Sequence, residues 1–380
     1  MSARNRRRRH TAPTPRALSV REFIYAAAGA SREPLGGGGR YEELLRQLAD
    51  GPGGAGDELL AVLAEALRQA QARHWDRHEV HRQTERRLGA RHGGFVRALI
   101  DGERDLSAWG TRQGLSVIEG VACAVEVLAL VLSLPPLPEL GGPRSATPTA
   151  QDTRMLEKVR ALLAKAESTT FPEEAEALSA KAQELMARHS LDAAMVGAGS
   201  PTGDGPTGMR LPVDDPYAGA KSILLHEVAS ANRCRSVWSK GLGFCTIIGF
   251  ESDLMFVEIL YTSLLVQATS AMVASGSQVD RRGRSRTRSF RQAFLLAYGM
   301  RIGDRLRAAE AASRLAAVEE HGVGLLPVLA DRTAAVEAAS ATAFPDVVSR
   351  SVSISNPAGW AAGRAAADLA SLSGRTQVPS

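Results

Sequence analysis

Cysteine is scarce in this chain of 380 residues. Cys123, Cys234 and Cys245 form no CxxC pair and their number is odd, which excludes a disulfide framework and points to a reduced, cytoplasmic setting. Lysine is nearly absent too, at positions 158, 165, 181, 221 and 240 among 46 basic residues, an arginine bias of the kind a GC-rich genome imposes. The N-terminal Arg run leads into Ala, Pro and Thr without an apolar h-region, which argues against a secretory signal. Residues 115–134, LSVIEGVACAVEVLALVLSL, have the length of a membrane span. Glu119 and Glu126 would each cost roughly a few kcal/mol in hydrocarbon, so a buried helix is expected there and no membrane partner.

Catalytic motifs are missing as well. The glycine clusters at 36–39 and 51–56 are not followed by GK[ST], so neither is a phosphate-binding P-loop. His226-Glu227 begins an HExxH pattern, but position 230 is Ser and no second His is nearby. No GxSxG elbow holds a serine nucleophile. An RRM, a zinc finger and a convincing helix-turn-helix are also absent. No cofactor is expected.

What is present is ordinary globular composition, 44% apolar and 23% charged, with an uneven distribution of charge. Residues 1–16 hold six Arg and no acid, and 276–307 hold nine Arg against Asp280 and Asp304. These segments contribute +6 and +7 to a total of +5, so the rest of the chain is net −8.

The pattern along the chain predicts a mainly α protein with a small α+β part. A disordered basic arm is expected at 1–20, a helical N-terminal domain at 40–134 and a Pro/Gly linker at 135–151. A helical hairpin at 152–196, a linker at 197–212 and a C-terminal α+β domain at 213–372 complete the organisation. Within the last, CRSVWS (234–239) and FCTIIGF (244–250) read as a β-hairpin around Lys240-Gly241-Leu242-Gly243. Ser252 or Asp253 is expected to cap a long apolar helix, and 347–354 to form a further strand.

Residues 152–192 are the most sharply punctuated unit. Met155, Leu156, Val159, Leu162, Leu163 and Ala166 fall on one face of a 3.6-residue period. Thr170-Phe171-Pro172-Glu173 has capping-box spacing with Pro in the first turn, and Ala175, Leu178, Ala182, Leu185 and Met186 form the apolar face of the second helix. Glu174, Lys181 and Gln183 are its candidate contact surface, the alternative being a solvated face. The elements LLAKAEST, PEEAEAL, KAQELM and RHSL resemble the hallmark of domain of unknown function 2786, found in bacterial and phage proteins, especially actinobacterial ones. ANRCRSVWS, IIGFESDLMFVEILYTSLL, SFRQAFLLAYGMRIGDRL and AGWAAGRAAADLA look like the region that accompanies this domain in longer members. The resemblance implies a fold and brings no catalytic residues with it.

Two further constellations bear on function. His74, His78 and His81 would share one face of a continuous helix over 57–88, a geometry able to hold a transition metal or simply to pack against a partner helix. In DRRGRSRTRSFRQAF (280–294), Arg281, Arg282, Arg284, Arg286 and Arg288 form a cationic loop able to contact phosphates, with Phe290 available to stack on a base. The leading expectation is therefore a non-enzymatic nucleic-acid-binding protein. The alternatives are a protein-interaction module docking through the 152–192 hairpin, for which Leu162 and Leu185 are the test positions, and an enzyme using Glu174, Lys181 or His226.

Overall fold

The computed structural model describes residues 19–32, 38–51, 55–141, 150–168, 181–182, 185–186, 188–190, 192, 205–279, 283–322, 324–348 and 356–370. The chain divides after Pro138 into two compact units, Met1–Pro138 and Glu139–Ser380. It is mainly α, with one small antiparallel sheet in the second unit.

The first unit contains α1 (Val20–Ala30), α2 (Gly38–Ala49), α3 (Ala55–Ala72), α4 (Arg77–Leu88), α5 (Ala90–Ile100), α6 (Leu106–Arg112) and α7 (Val117–Ser133). All six of the others touch α7. That explains the membrane-like run at 115–134: a helix surrounded by partners is apolar on every side. Its two glutamates have local duties, Glu119 closing a capping box with Ser116 and Glu126 bonding His92 and Tyr41.

A capping box between Ser19 and Glu22 starts α1, so helix begins inside the stretch read from sequence as a basic arm. Helix α1 itself was not anticipated. The continuous helix expected over 57–88 is also broken. Chain reversal at 73–76 places His74 at φ 66 and buries Trp75, whose indole donates to the Pro135 carbonyl at 2.7 Å. Asp76 then opens α4 through a capping box with Glu79. Arg73 donates to the carbonyls of Val131 and Leu134, satisfying acceptors at the C-terminal end of α7 where a cation is favoured.

The second unit contains α8 (Ala150–Ser168), β1 (Thr207–Pro212), α9 (Ala218–Ala231), β2 (Arg235–Ser239), β3 (Phe244–Gly249), α10 (Glu251–Ala274), α11 (Thr287–His321), α12 (Leu325–Ala343) and α13 (Pro357–Leu369). The hairpin β2–β3 forms as expected, with Val237 opposite Thr246. Strand β1 is an addition, because 197–212 reads from sequence as a linker. It pairs Arg210 with Thr246 and gives the order β1-β3-β2.

Central strand β3 is buried on both faces. Cys245 and Ile247 enter the main core with α9, α10 and α11, whereas Ile248 joins Phe250 and Val336 of α12 on the other side. That alternation is the period of two a strand imposes. The expected strand at 347–354 is not seen at 347–348, and 349–354 lies outside the described residues. Phe250 occupies the N-cap of α10, so Ser252 and Asp253 lie within its first turn and do not cap it. Among the described residues α10 is the one helix long and apolar enough to cross a membrane, and its Leu254, Val257, Leu260 and Leu264 are buried in the core.

Helix α11 is gripped from two sides through glycine. A Cβ on Gly299 would come within 3.0 Å of the Leu224 Cα on α9, and one on Gly303 would overlap the Glu227 side chain. On the other side Gly359 and Gly363 of α13 lie against the carbonyls of Phe290 and Phe294 so closely that a Cβ at either would overlap the oxygen. Paired residue numbers rise together across both contacts, so α9, α11 and α13 run parallel with their N-termini towards one end.

Candidate nucleic-acid interface

The segment from Gly276 to Arg286 links α10 to α11 at that same end. Its legs are pinned: Val279 and Ser285 form an antiparallel bridge, and the Arg286 amide donates to the Gln278 carbonyl at 2.8 Å. The Gln278 amide donates to Thr287 Oγ1 at 3.0 Å, and Gly283 turns with φ 74°. Arg284 and Arg286 flank the bridging Ser285.

Arg284, Arg286 and Arg288 are exposed. Arg281 and Arg282 lie outside the described residues. Arg286 is also the N-cap of α11 and supplies no side-chain hydrogen bond to the first-turn amides. The first turn of α11 holds no acidic residue, so no side chain of that turn offsets the positive end of the helix dipole. One turn further on, the Nε of Arg291 is buried without a hydrogen-bond partner. Asn356 joins the base of this assembly, capping α13 through Gly359 while its amide donates to Ser289 Oγ.

Phe290 corrects one expectation. Its ring is only 5% exposed and begins an internal row in which Phe294 follows at 6.2 Å and Tyr298 at 6.4 Å. It is a core residue that anchors α11 and does not present a face to a base. Its spacing, four residues before the Phe294 that opens the apolar run FLLAY, was the available signal.

Described apolar residues of the 152–192 segment face inwards. Val159, Ala182 and Met186 form a cluster with Phe256 of α10, and Leu162, Leu185 and Ile259 pack around it. His189 is buried with its ring edge-on to Phe256 at 5.9 Å. Leu162 and Leu185 are therefore occupied within the unit. Lys181 is exposed, while Glu174 and Gln183 lie outside the described residues.

His226 is exposed on α9 with Nδ1 2.9 Å from Ser236 Oγ. Its neighbour Glu227 pairs with Arg307. A cavity of about 60 Å³ between Met186, Arg233 and Glu310 has neither His226 nor Lys181 on its wall. Ligand pockets of ordinary size are about 300 Å³ or more. The histidine triad is not assembled either. His74 sits in the turn before α4, whereas His78 and His81 are on that helix, and no metal-competent cluster of three His, Cys, Asp or Glu occurs among the described residues.

Sequence reasoning missed a buried ionic cluster around Asp253, which is 2% exposed. Arg233 donates to one carboxylate oxygen at 2.8 Å, and Arg332 lies 3.8 Å from the other while its guanidinium covers the Phe250 ring at 3.7 Å. Glu310 is 3.8 Å from Arg233. Burial by itself disfavours the Arg233 cation, but the Asp253 charge and hydrogen bond, with Glu310, outweigh it and hold its pKa above the ordinary value. Two cations and two anions cancel, so this cluster ties the β2, α10, α11 and α12 segments together and offers no net charge to a ligand. Arg233 adopts a left-handed backbone, φ 56°, to reach inwards.

The first unit has its own polar network. Glu126 accepts from Tyr41 at 3.1 Å and lies 2.7 Å from His92 Nε2. The His92 hydrogen bond, reinforced by Tyr41, holds the Glu126 carboxyl below its ordinary value of 4.5 against the opposing effect of burial. Burial, with the Glu126 charge, pushes the nearby Cys123 thiol up to about 12. A depressed carboxyl stabilises the fold above its unfolded value and loses that contribution as pH falls through the folded one. Acidification below 4.5 should therefore lower the unfolding midpoint of the wild type more steeply than that of Glu126→Gln. Parallel slopes in thermal unfolding across that range would count against the network.

Residues 154–193 match the family described as protein of unknown function (DUF2786). The stretch covers most of α8 and the helical residues after it. Neither the comparison with curated proteins nor that with solved structures found a match.

Proposed function

From a chain carrying this DUF2786 segment, we propose a non-enzymatic nucleic-acid-binding protein that engages phosphates through the arginine hairpin between α10 and α11. The observation that carries the reading is the exposure of Arg284, Arg286 and Arg288 around a bridged turn at the N-terminus of α11. Arginines on a pinned backbone bind phosphate with less loss of loop entropy than a floppy tail does. A net −8 over the rest of the chain restricts such contact to the basic segments. The 152–192 segment, with eight acids against six bases, is a poor phosphate surface.

The triple variant Arg284→Ala/Arg286→Ala/Arg288→Ala tests this by filter binding to DNA and RNA across a salt series. Affinity should fall roughly 10- to 100-fold, and the slope of log K against log salt should shrink by about three, one per lost phosphate contact. An unchanged unfolding midpoint would place the loss in the interface. Equal affinity and equal slope in wild type and variant would overturn the proposal.

A further inference from the structure

The first unit holds a cavity of about 180 Å³ between α2, α3, α6 and α7, with Leu48, Leu106 and Val121 on its wall. Gly110 of α6 and Gly120 of α7 line it too, and both are buried. Glycine inside a helix is disfavoured relative to alanine, so a helical glycine calls for a reason. At Gly93, Gly299, Gly303, Gly359 and Gly363 the reason is contact, because a Cβ would run into a neighbouring segment. At Gly110 and Gly120 a Cβ would have nothing within 4 Å, and neither has a positive φ. What the two missing side chains leave open is the cavity itself.

We infer that this cavity is a binding site for a small neutral molecule about the size of one aromatic ring. Its volume is below the roughly 300 Å³ of an ordinary ligand pocket, which excludes a nucleotide or a large cofactor. It exceeds the roughly 150 Å³ of an apolar cavity that accepts benzene. No charged residue lines it among the described residues, so an ion of either sign would lose its hydration without gaining a partner. Of the three hydroxyls on the wall, Thr111 donates to the Ser107 carbonyl and Ser116 donates to Glu119. That leaves the Ser107 hydroxyl to meet one polar group of the ligand.

Calorimetric titration of the full chain with indole, phenol, benzoate and benzylammonium tests the inference. Indole and phenol should bind with dissociation constants on the order of a millimolar or tighter. The two ions should bind at least about tenfold more weakly. Gly110→Ala/Gly120→Ala should lose about tenfold in indole affinity while unfolding at the same temperature as wild type or higher, since the added methyls take ligand space and favour helix. Gly29→Ala, an exposed glycine of α1 with equal freedom around its Cβ, should leave indole affinity unchanged. No binding of either neutral probe, equal binding of the ions, or indole affinity untouched by the double variant would overturn the inference. A double variant that fails to fold would also overturn it, by showing that these glycines serve close packing.

Discussion

Gly363→Ala should destabilise the second unit by about 3 kcal/mol, at the upper end of what overpacking costs. The added methyl would overlap the carbonyl oxygen of Phe294. That oxygen belongs to the backbone of a 35-residue helix, and it cannot swing aside as the end of a side chain can. Relief requires α11 and α13 to separate, which opens the core around Phe290, Phe294 and Ala367. Gly359→Ala meets the Phe290 carbonyl in the same way and should cost a similar amount. Gly219→Ala is the control. It lies on α9 with nothing within 4 Å of the new Cβ, so it should be neutral or stabilise by roughly 0.5–1 kcal/mol. Urea unfolding of the three variants checks the order; a Gly363→Ala protein as stable as wild type would mean that α13 does not sit on α11 as described.

The second large effect concerns Asp253. Replacing it by Leu strands the guanidinium of Arg233, which is 18% exposed, and removes a counter-charge from Arg332. Breaking a buried pair from one side costs about 3–5 kcal/mol, because the remaining charge keeps its desolvation penalty and loses its partner. Removing both charges in Asp253→Leu/Arg233→Met should cost less than Asp253→Leu alone. The double-mutant cycle should show coupling of about 2 kcal/mol. Simple additivity would reduce this cluster to a solvated surface contact.

Local rules made much of this fold readable. The helices from α8 onwards, the β2–β3 hairpin and the boundaries of α7 follow from apolar period, caps and turn residues, each set by neighbours within a few positions. Expectations failed where a distant residue intervened. His74 leaves the helix because Trp75 is drawn to Pro135, far along the chain, and Asp76 supplies a new cap. The glycine at 208 reads as linker, yet its amide bonds the Leu140 carbonyl and its strand edges the sheet.

For the candidate site the division is sharper. The arginine spacing, the acidity of the remaining chain and the DUF2786 segment are properties of the sequence alone, because charge and local pattern do not depend on the fold. Only the tertiary structure decided that Phe290 turns inwards, that Leu162 and Leu185 are already covered, and that Asp253 meets Arg233 and Arg332. A periodic pattern identifies an apolar face without naming what covers it. It also counts charges without saying which are buried against one another, since burial and pairing arise from contacts between segments far apart in the chain.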